Sequence, residues 1–136
     1  MRVVILTPQR QLPDHQADHV MAPAHDGFVG IQPGHASMVC QLGGGDLTID
    51  HATEPRVVYV VDGGLLQVND DTITVLAESA TLKADVSENV LIEKLLALDA
   101  ATYDDEMALT QAKTEAHWLR TQLQSIGKSV PPTKQV

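Results

Sequence analysis

The hydrophobic pattern of this chain changes period once, close to Lys83, and that change limits the fold to β-structure followed by helices. Up to about Glu78 the apolar residues come in short runs. Val3-Val4-Ile5-Leu6 is continuous, and Leu47-Thr48-Ile49-Asp50 alternates as a half-buried strand does. Val57 to Val61 is β-branched or aromatic throughout, which suits a strand covered on both faces. Ile73, Val75 and Ala77 alternate with threonine and leucine. Turn chemistry is expected to separate these runs at Gly43-Gly44-Gly45, Asp62-Gly63-Gly64 and Asn69-Asp70-Asp71. Short strands with regular turn signals predict an antiparallel sandwich or barrel over residues 1–84.

Beyond Lys83 the spacing predicts a two-helix hairpin over residues 85–127. Asp85-Val86-Ser87-Glu88 reads as a capping box, with Asp85 as N-cap, opening a helix from about Ser87 to Ala101. A second helix begins near Asp104-Asp105-Glu106, where acids complement the helix dipole, runs to Ile126 and stops at Gly127. The short connection predicts an antiparallel pair. Residues 128–136 are expected to be a mobile tail.

The second helix carries a stripe of Ala108, Ala112, Ala116, Leu119, Leu123 and Ile126, with Met107 and Trp118 outside it. In the first helix Val90, Leu91, Ile92, Leu95, Leu96 and Leu98 spread around more than half the circumference. One neighbour cannot cover that surface, so this helix is expected to lie between the second helix and the sandwich. Whether the layers stay together permanently or separate is open at this level.

Composition narrows the function. Aromatics are only 3% against 43% hydrophobic residues, so the core must be aliphatic. A net charge of −9 argues against nucleic acid and against direct binding to an anionic membrane. The cations gather late: Lys113, Arg120, Lys128 and Lys134 follow Met107, against Glu115 alone. Each one singly reads as a solvated side chain; as a set they suit an acidic partner surface. The lone Cys40 permits no internal disulfide and sits in an apolar run, where a packed thiol outweighs a nucleophile. No secretory signal and no membrane-spanning run is recognisable.

Catalytic constellations are missing. His15 and His19 in an extended segment stand about 13 Å apart, too far to share one ion. His25, His35, His51 and His117 come from separate elements. The triple glycine leads to Asp46 and a strand, without the lysine or helix of a phosphate loop. Asp70-Asp71 sits in a turn. No catalytic residue, metal or cofactor is expected.

One motif points outward. Gly27-Phe28-Val29-Gly30-Ile31-Gln32 leads into Pro33-Gly34-His35-Ala36, a tight turn followed by residues presented on a sheet rim. This run resembles the epsilon subunit of the F-type ATP synthase. Asp62-Gly63-Gly64-Leu65-Leu66-Gln67-Val68 and Thr72-Ile73-Thr74-Val75-Leu76-Ala77-Glu78 resemble the same family, in the same order.

The resemblance implies a non-catalytic subunit of the central stalk, part of a rotary complex that couples proton or sodium flow to ATP synthesis. Its sandwich would clamp the gamma subunit and rest on the ring of membrane c-subunits. The hairpin would switch between a compact form and an extended one that reaches the alpha/beta ring and slows ATP hydrolysis. By position, Pro33, Gly34, His35 and Ala36 would meet gamma, Asp26, Gly27 and Phe28 would meet the c-ring, and Lys113, Arg120 and Lys128 would be the regulatory cations. The protein would then sit peripherally on the cytoplasmic face of the bacterial inner membrane. From the residues alone, Phe28 is equally a core anchor and His35 equally a brace for its own turn.

This chain departs from the family pattern in three places. Ser37-Met38-Val39 replaces proline and leucines, and Asp62 replaces a small residue. Where some relatives bind ATP through Ile/Leu-Asp-x-x-Arg-Ala, this chain has Val86-Ser87-Glu88-Asn89-Val90-Leu91, without that aspartate and arginine. Tight ATP binding is therefore not expected. Two other classes fit the composition: a small metal-dependent β-barrel enzyme, and a free-standing adaptor with this fold.

Overall fold

Eight strands and two long helices follow one another along residues 1–136, all of which the computed structural model describes. The strands are β1 (Arg2–Leu6), β2 (His15–Gln16), β3 (His19–Ala24), β4 (Gly27–Ile31), β5 (Met38–Gln41), β6 (Gly45–Asp50), β7 (Val57–Asn69) and β8 (Thr72–Leu82). After a 3-10 turn at Lys83–Asp85 come α1 (Glu88–Ala100) and α2 (Glu106–Ser125). The chain divides into two units, Met1–Ala84 and Asp85–Val136.

In the first unit β7 and β8 form one long antiparallel hairpin in a single register, from Tyr59↔Leu82 to Asn69↔Thr72, with the pairing skipped at Gly63 and Glu78. Asp70 and Asp71 close it, both with positive φ, 47° and 60°. That pair of values is the primed turn whose twist suits a hairpin, and aspartate tolerates it. Asp62-Gly63-Gly64 was expected to end a strand, but β7 runs straight through it. Gly63 and Gly64 have φ of 68° and 105°, so the strand bends and does not stop.

The bend makes one ladder serve two layers. The second half of β7 pairs with β5, through Gln41↔Leu65 to Met38↔Val68, and the facing half of β8 pairs in parallel with β1. The first half of β7 pairs with β6, which continues to β3 and β4. The result is a β-sandwich, mostly antiparallel, with the β1–β8 pair as the parallel exception. Val3, Ile5, Leu66, Val68, Ile73 and Val75 meet Val20, Ile31, Leu47, Ile49, Tyr59 and Val61 in one buried aliphatic core. Tyr59, Val60 and Val61 are all buried although neighbours along a strand point to opposite faces, as expected for a strand covered on both sides.

In the second unit α1 and α2 pack through Leu91, Leu95, Ala116, Leu119 and Leu123. The stripe on α2 therefore faces α1 in its later part, while Met107 is 73% exposed. Val90 and Leu96 lie on the open side of α1. The N-cap of α1 is Ser87, with no side-chain cap bond; Asp85 belongs to the preceding 3-10 turn, so the expected capping box does not form. The N-cap of α2 is Asp105, which accepts from the Ala108 N–H at 2.8 Å. Gly127 (φ 71°) ends α2: its N–H donates to Gln124 O and the Lys128 N–H donates to Leu123 O. This 6→1 and 5→2 pair satisfies carbonyls that the helix leaves open.

Candidate docking surfaces

Pro33 and Gly34 form the turn between β4 and β5, and the His35 N–H donates to Gln32 O at 3.1 Å. Gly34 has φ of 82° behind a proline, the arrangement that a type II turn requires. Gln32 to Ser37 are all exposed. The His35 ring lies back on this turn, with Nδ1 2.7 Å from Ala36 O. A carbonyl can only accept, so Nδ1 holds the proton and Nε2 of the neutral ring remains an acceptor. The imidazole thus braces its own turn and still carries a second polar atom.

Asp26, Gly27 and Phe28 occupy the tip of the β3–β4 hairpin. Ala24 pairs with Gly27 across the turn, and Gly27 takes φ of 136°. Phe28 is 66% exposed and is therefore not a core anchor. The tip is stitched to the connection after β5: His25 N–H donates to Gln41 O and Gly43 N–H to Pro23 O, both at 2.9 Å. The triple glycine explains itself here. A Cβ on Gly43 would stand 3.0 Å from Ala24 O, and one on Gly45 would stand 3.3 Å from Pro23 Cβ and 4.0 Å from Phe28 Cζ. The glycines let this connection pass close to the hairpin that holds Phe28.

The two surfaces lie at opposite ends of β4, some five residues or about 17 Å of extended chain apart. They are separate sites and not one cluster. Cys40, on β5, is half-buried and packs against the core; burial, with Asp26 adding to it, pushes its thiol up, so it stays protonated.

Sequence reasoning missed a third surface. Register aligns Leu6, Leu76, Leu65 and Gln41 across β1, β8, β7 and β5, with Gln67 and Val39 beside them. Leu65, Leu76 and Val39 are 46%, 43% and 65% exposed. None of these six side chains is charged, although the protein as a whole carries −9. The signal was present as leucines at the polar phase of the β7 and β8 alternation, but only the pairing puts them side by side.

The three cations expected to be regulatory, Lys113, Arg120 and Lys128, are differently placed. Lys113 is exposed on α2. Arg120, two turns on, donates through Nη2 to Thr133 Oγ1 at 2.8 Å and to Val136 O. Lys128 lies 3.7 Å from Glu88. Asp14, His15, His51 and Glu54 line a cleft of about 500 Å³ beside β2 and β6, but no three such groups converge as metal ligands would. No helix is long and apolar enough to cross a membrane.

Comparison with known proteins places this architecture. Residues 1–83 match the family described as the ATP synthase delta/epsilon chain, beta-sandwich domain. The ATP synthase epsilon chain of Rhodopirellula baltica is 39% identical over 110 residues, 79% of this chain and 84% of that one. The epsilon chain of Rhodococcus opacus is 37% identical over 114 residues, 83% and 90% of the two chains. A chain in the Euglena gracilis mitochondrial ATP synthase (OSCP/F1/c-ring) superposes with a TM-score of 0.68 over 91% of this chain and 79% of its own, at 19% identity. One in the Tetrahymena thermophila central stalk and c-ring gives 0.60 over 90% and 93%, at 16% identity. At those identities the likeness speaks for the fold.

Proposed function

Since this chain belongs to the epsilon-chain family of the ATP synthase central stalk, we propose that its sandwich joins the gamma subunit to the c-ring and that its hairpin restrains ATP hydrolysis. The observation that carries this reading is the exposed Phe28 on a tip whose backbone is hydrogen-bonded to the 41–43 stretch at the end of β5. An aromatic ring held in water at a rigid tip costs free energy unless a partner covers it, and the flanking Asp26 suits the polar loops of a ring.

Gamma is met at the other end of β4, by Pro33, Gly34, His35 and Ala36. The uncharged patch of Leu6, Leu65 and Leu76 extends that contact, since β5 runs from the turn directly into it. The alpha/beta ring is met transiently by the hairpin, with Lys113 at long range and Arg120 and Lys128 when their internal partners are exchanged. The protein works peripherally at the cytoplasmic face of a bacterial inner membrane and supplies no reacting group of its own. Whichever ion the complex carries, proton or sodium, the role of this chain is mechanical.

Reconstitution with gamma and the c-ring tests the assignment. Leu65→Asp and His35→Ala are expected to weaken gamma capture, and Phe28→Ala to leave gamma capture intact while reducing retention on the c-ring. Equal capture of gamma by wild type and by the Leu65→Asp, His35→Ala double variant refutes it.

A further inference from the structure

We infer that residues 128–136 form a strap that locks α1 against α2, with the Asp99 carboxylate as its latch. The strap starts where Lys128 meets Glu88, in the first turn of α1. It ends on the last turn of α1. There the Asp99 carboxylate accepts from the backbone N–H groups of Lys134 at 2.9 Å, Gln135 at 2.8 Å and Val136 at 3.3 Å. Three main-chain donors converging on one carboxylate form an anion nest of the strong, charge-assisted kind.

Geometry fits a taut segment. From Glu88 to Asp99 the helix rises about 17 Å at 1.5 Å per residue. Lys128 to Lys134 spans about 19 Å at the 3.1 Å per residue of an extended polyproline-type path. Pro131-Pro132 lies midway and presets that conformation. Little slack remains between the two anchors.

The strap also supplies what the helices lack. Helix α1 ends at Ala100 without a glycine cap, and the Gln135 side chain donates from Nε2 to Asp99 O at 2.5 Å and Ala101 O at 2.7 Å. Those are carbonyls a helix end leaves open. Arg120 of α2 holds Thr133 and the Val136 carbonyl. Val130 and Val136 pack against the Leu91, Leu95, Ala116, Leu119 and Leu123 cluster. The segment therefore touches both helices, and they cannot part until it lets go.

This consequence for hydrolysis rests on the regulatory reading of the hairpin; the lock itself does not. Hydrogen exchange on the full chain separates the two. Deleting residues 129–136 is expected to speed exchange of Leu91 to Leu98 at least tenfold and to leave the β7 and β8 amides unchanged. Asp99→Ala is expected to give most of that effect alone and nothing further when combined with the deletion. Unchanged exchange in α1 after the deletion overturns the strap, as does random-coil exchange of the Lys134 and Gln135 amides in the wild type. With exchange faster as expected, ATP hydrolysis by the reconstituted complex reads the second question. A change in hydrolysis supports both ideas, and unaltered hydrolysis keeps the strap while refuting the regulatory hairpin.

Discussion

His15 Nε2 lies 2.7 Å from the hydroxyl of Tyr59, and the two rings meet edge to face with centroids 5.5 Å apart. The contact pins the two-residue strand β2 to the start of β7, 44 positions along the chain. Burial lowers the His15 pKa, with Asp14 opposing weakly. Unfolded, this histidine titrates near 6.5. Between that value and the lower folded one the unfolded chain binds more protons, so stability should fall as pH drops below 6.5 and level off beneath the folded value. Urea unfolding from pH 7.5 to 5 is expected to show that decline and His15→Gln to reduce it. Tyr59→Phe should cost about 1 kcal/mol at pH 7.5, the size of one net hydrogen bond.

Gly64 and Gly127 both have positive φ, yet replacing them should differ greatly. A Cβ at Gly64 would stand 1.8 Å from Leu76 O, whereas one at Gly127 meets nothing within 4 Å. Gly127→Ala should cost about 1–2 kcal/mol of backbone strain only. Gly64→Ala must break the β7–β8 ladder and should cost roughly 3 kcal/mol or more. Thermal melts of the two variants measure the contrast.

Leu95 is fully buried between the helices and Asp105 caps α2. Leu95→Ala should destabilise the hairpin by about 2–4 kcal/mol through the cavity it leaves. Asp105→Ala should cost about 1 kcal/mol by freeing the Ala108 N–H. Amide exchange is the suited readout, since it reports α1 and α2 apart from the sandwich. In the unaltered chain Leu91 to Leu98 should exchange slowly.

Calorimetric titration with ATP is expected to show no saturable heat at micromolar nucleotide. Ser87 and Val90 stand where ATP-binding relatives carry an aspartate and an arginine, and Glu88 beside them would repel the phosphates and already faces Lys128.

Acid should loosen the C-terminal segment. Backbone N–H groups of Gln135, then Lys134, hold the Asp99 carboxyl below the usual range. A depressed folded value contributes stability above the ordinary carboxylate pKa, and that contribution disappears as pH falls through the folded value. Chemical shifts of the Lys134 and Gln135 amides should therefore stay constant down to about pH 4 and move below it.

Much of this architecture is legible in the amino-acid sequence. Asp70-Asp71 reads as a turn because few residues tolerate positive φ, and Gly127 reads as a stop for the same reason. The alternation of Ile73, Val75 and Ala77 marks a buried face wherever that face is later placed. Gly63-Gly64 misled, because a glycine pair carries the same local signature whether a strand ends or bends. Asp85 misled likewise: its spacing to Glu88 suits a cap, but the 3-10 turn at Lys83–Asp85 takes it up and the N-cap falls on Ser87.

Local chemistry along the chain determined the order of β and α elements, their turns and the faces they bury, because those depend on residues a few positions apart. Only the tertiary structure decided that β7 and β8 serve both layers, that Phe28 stays in water, and that Asp99 receives Gln135 from 36 positions away. Such meetings arise when distant segments pay the entropy of loop closure together, and that choice is made by packing, which leaves no local trace.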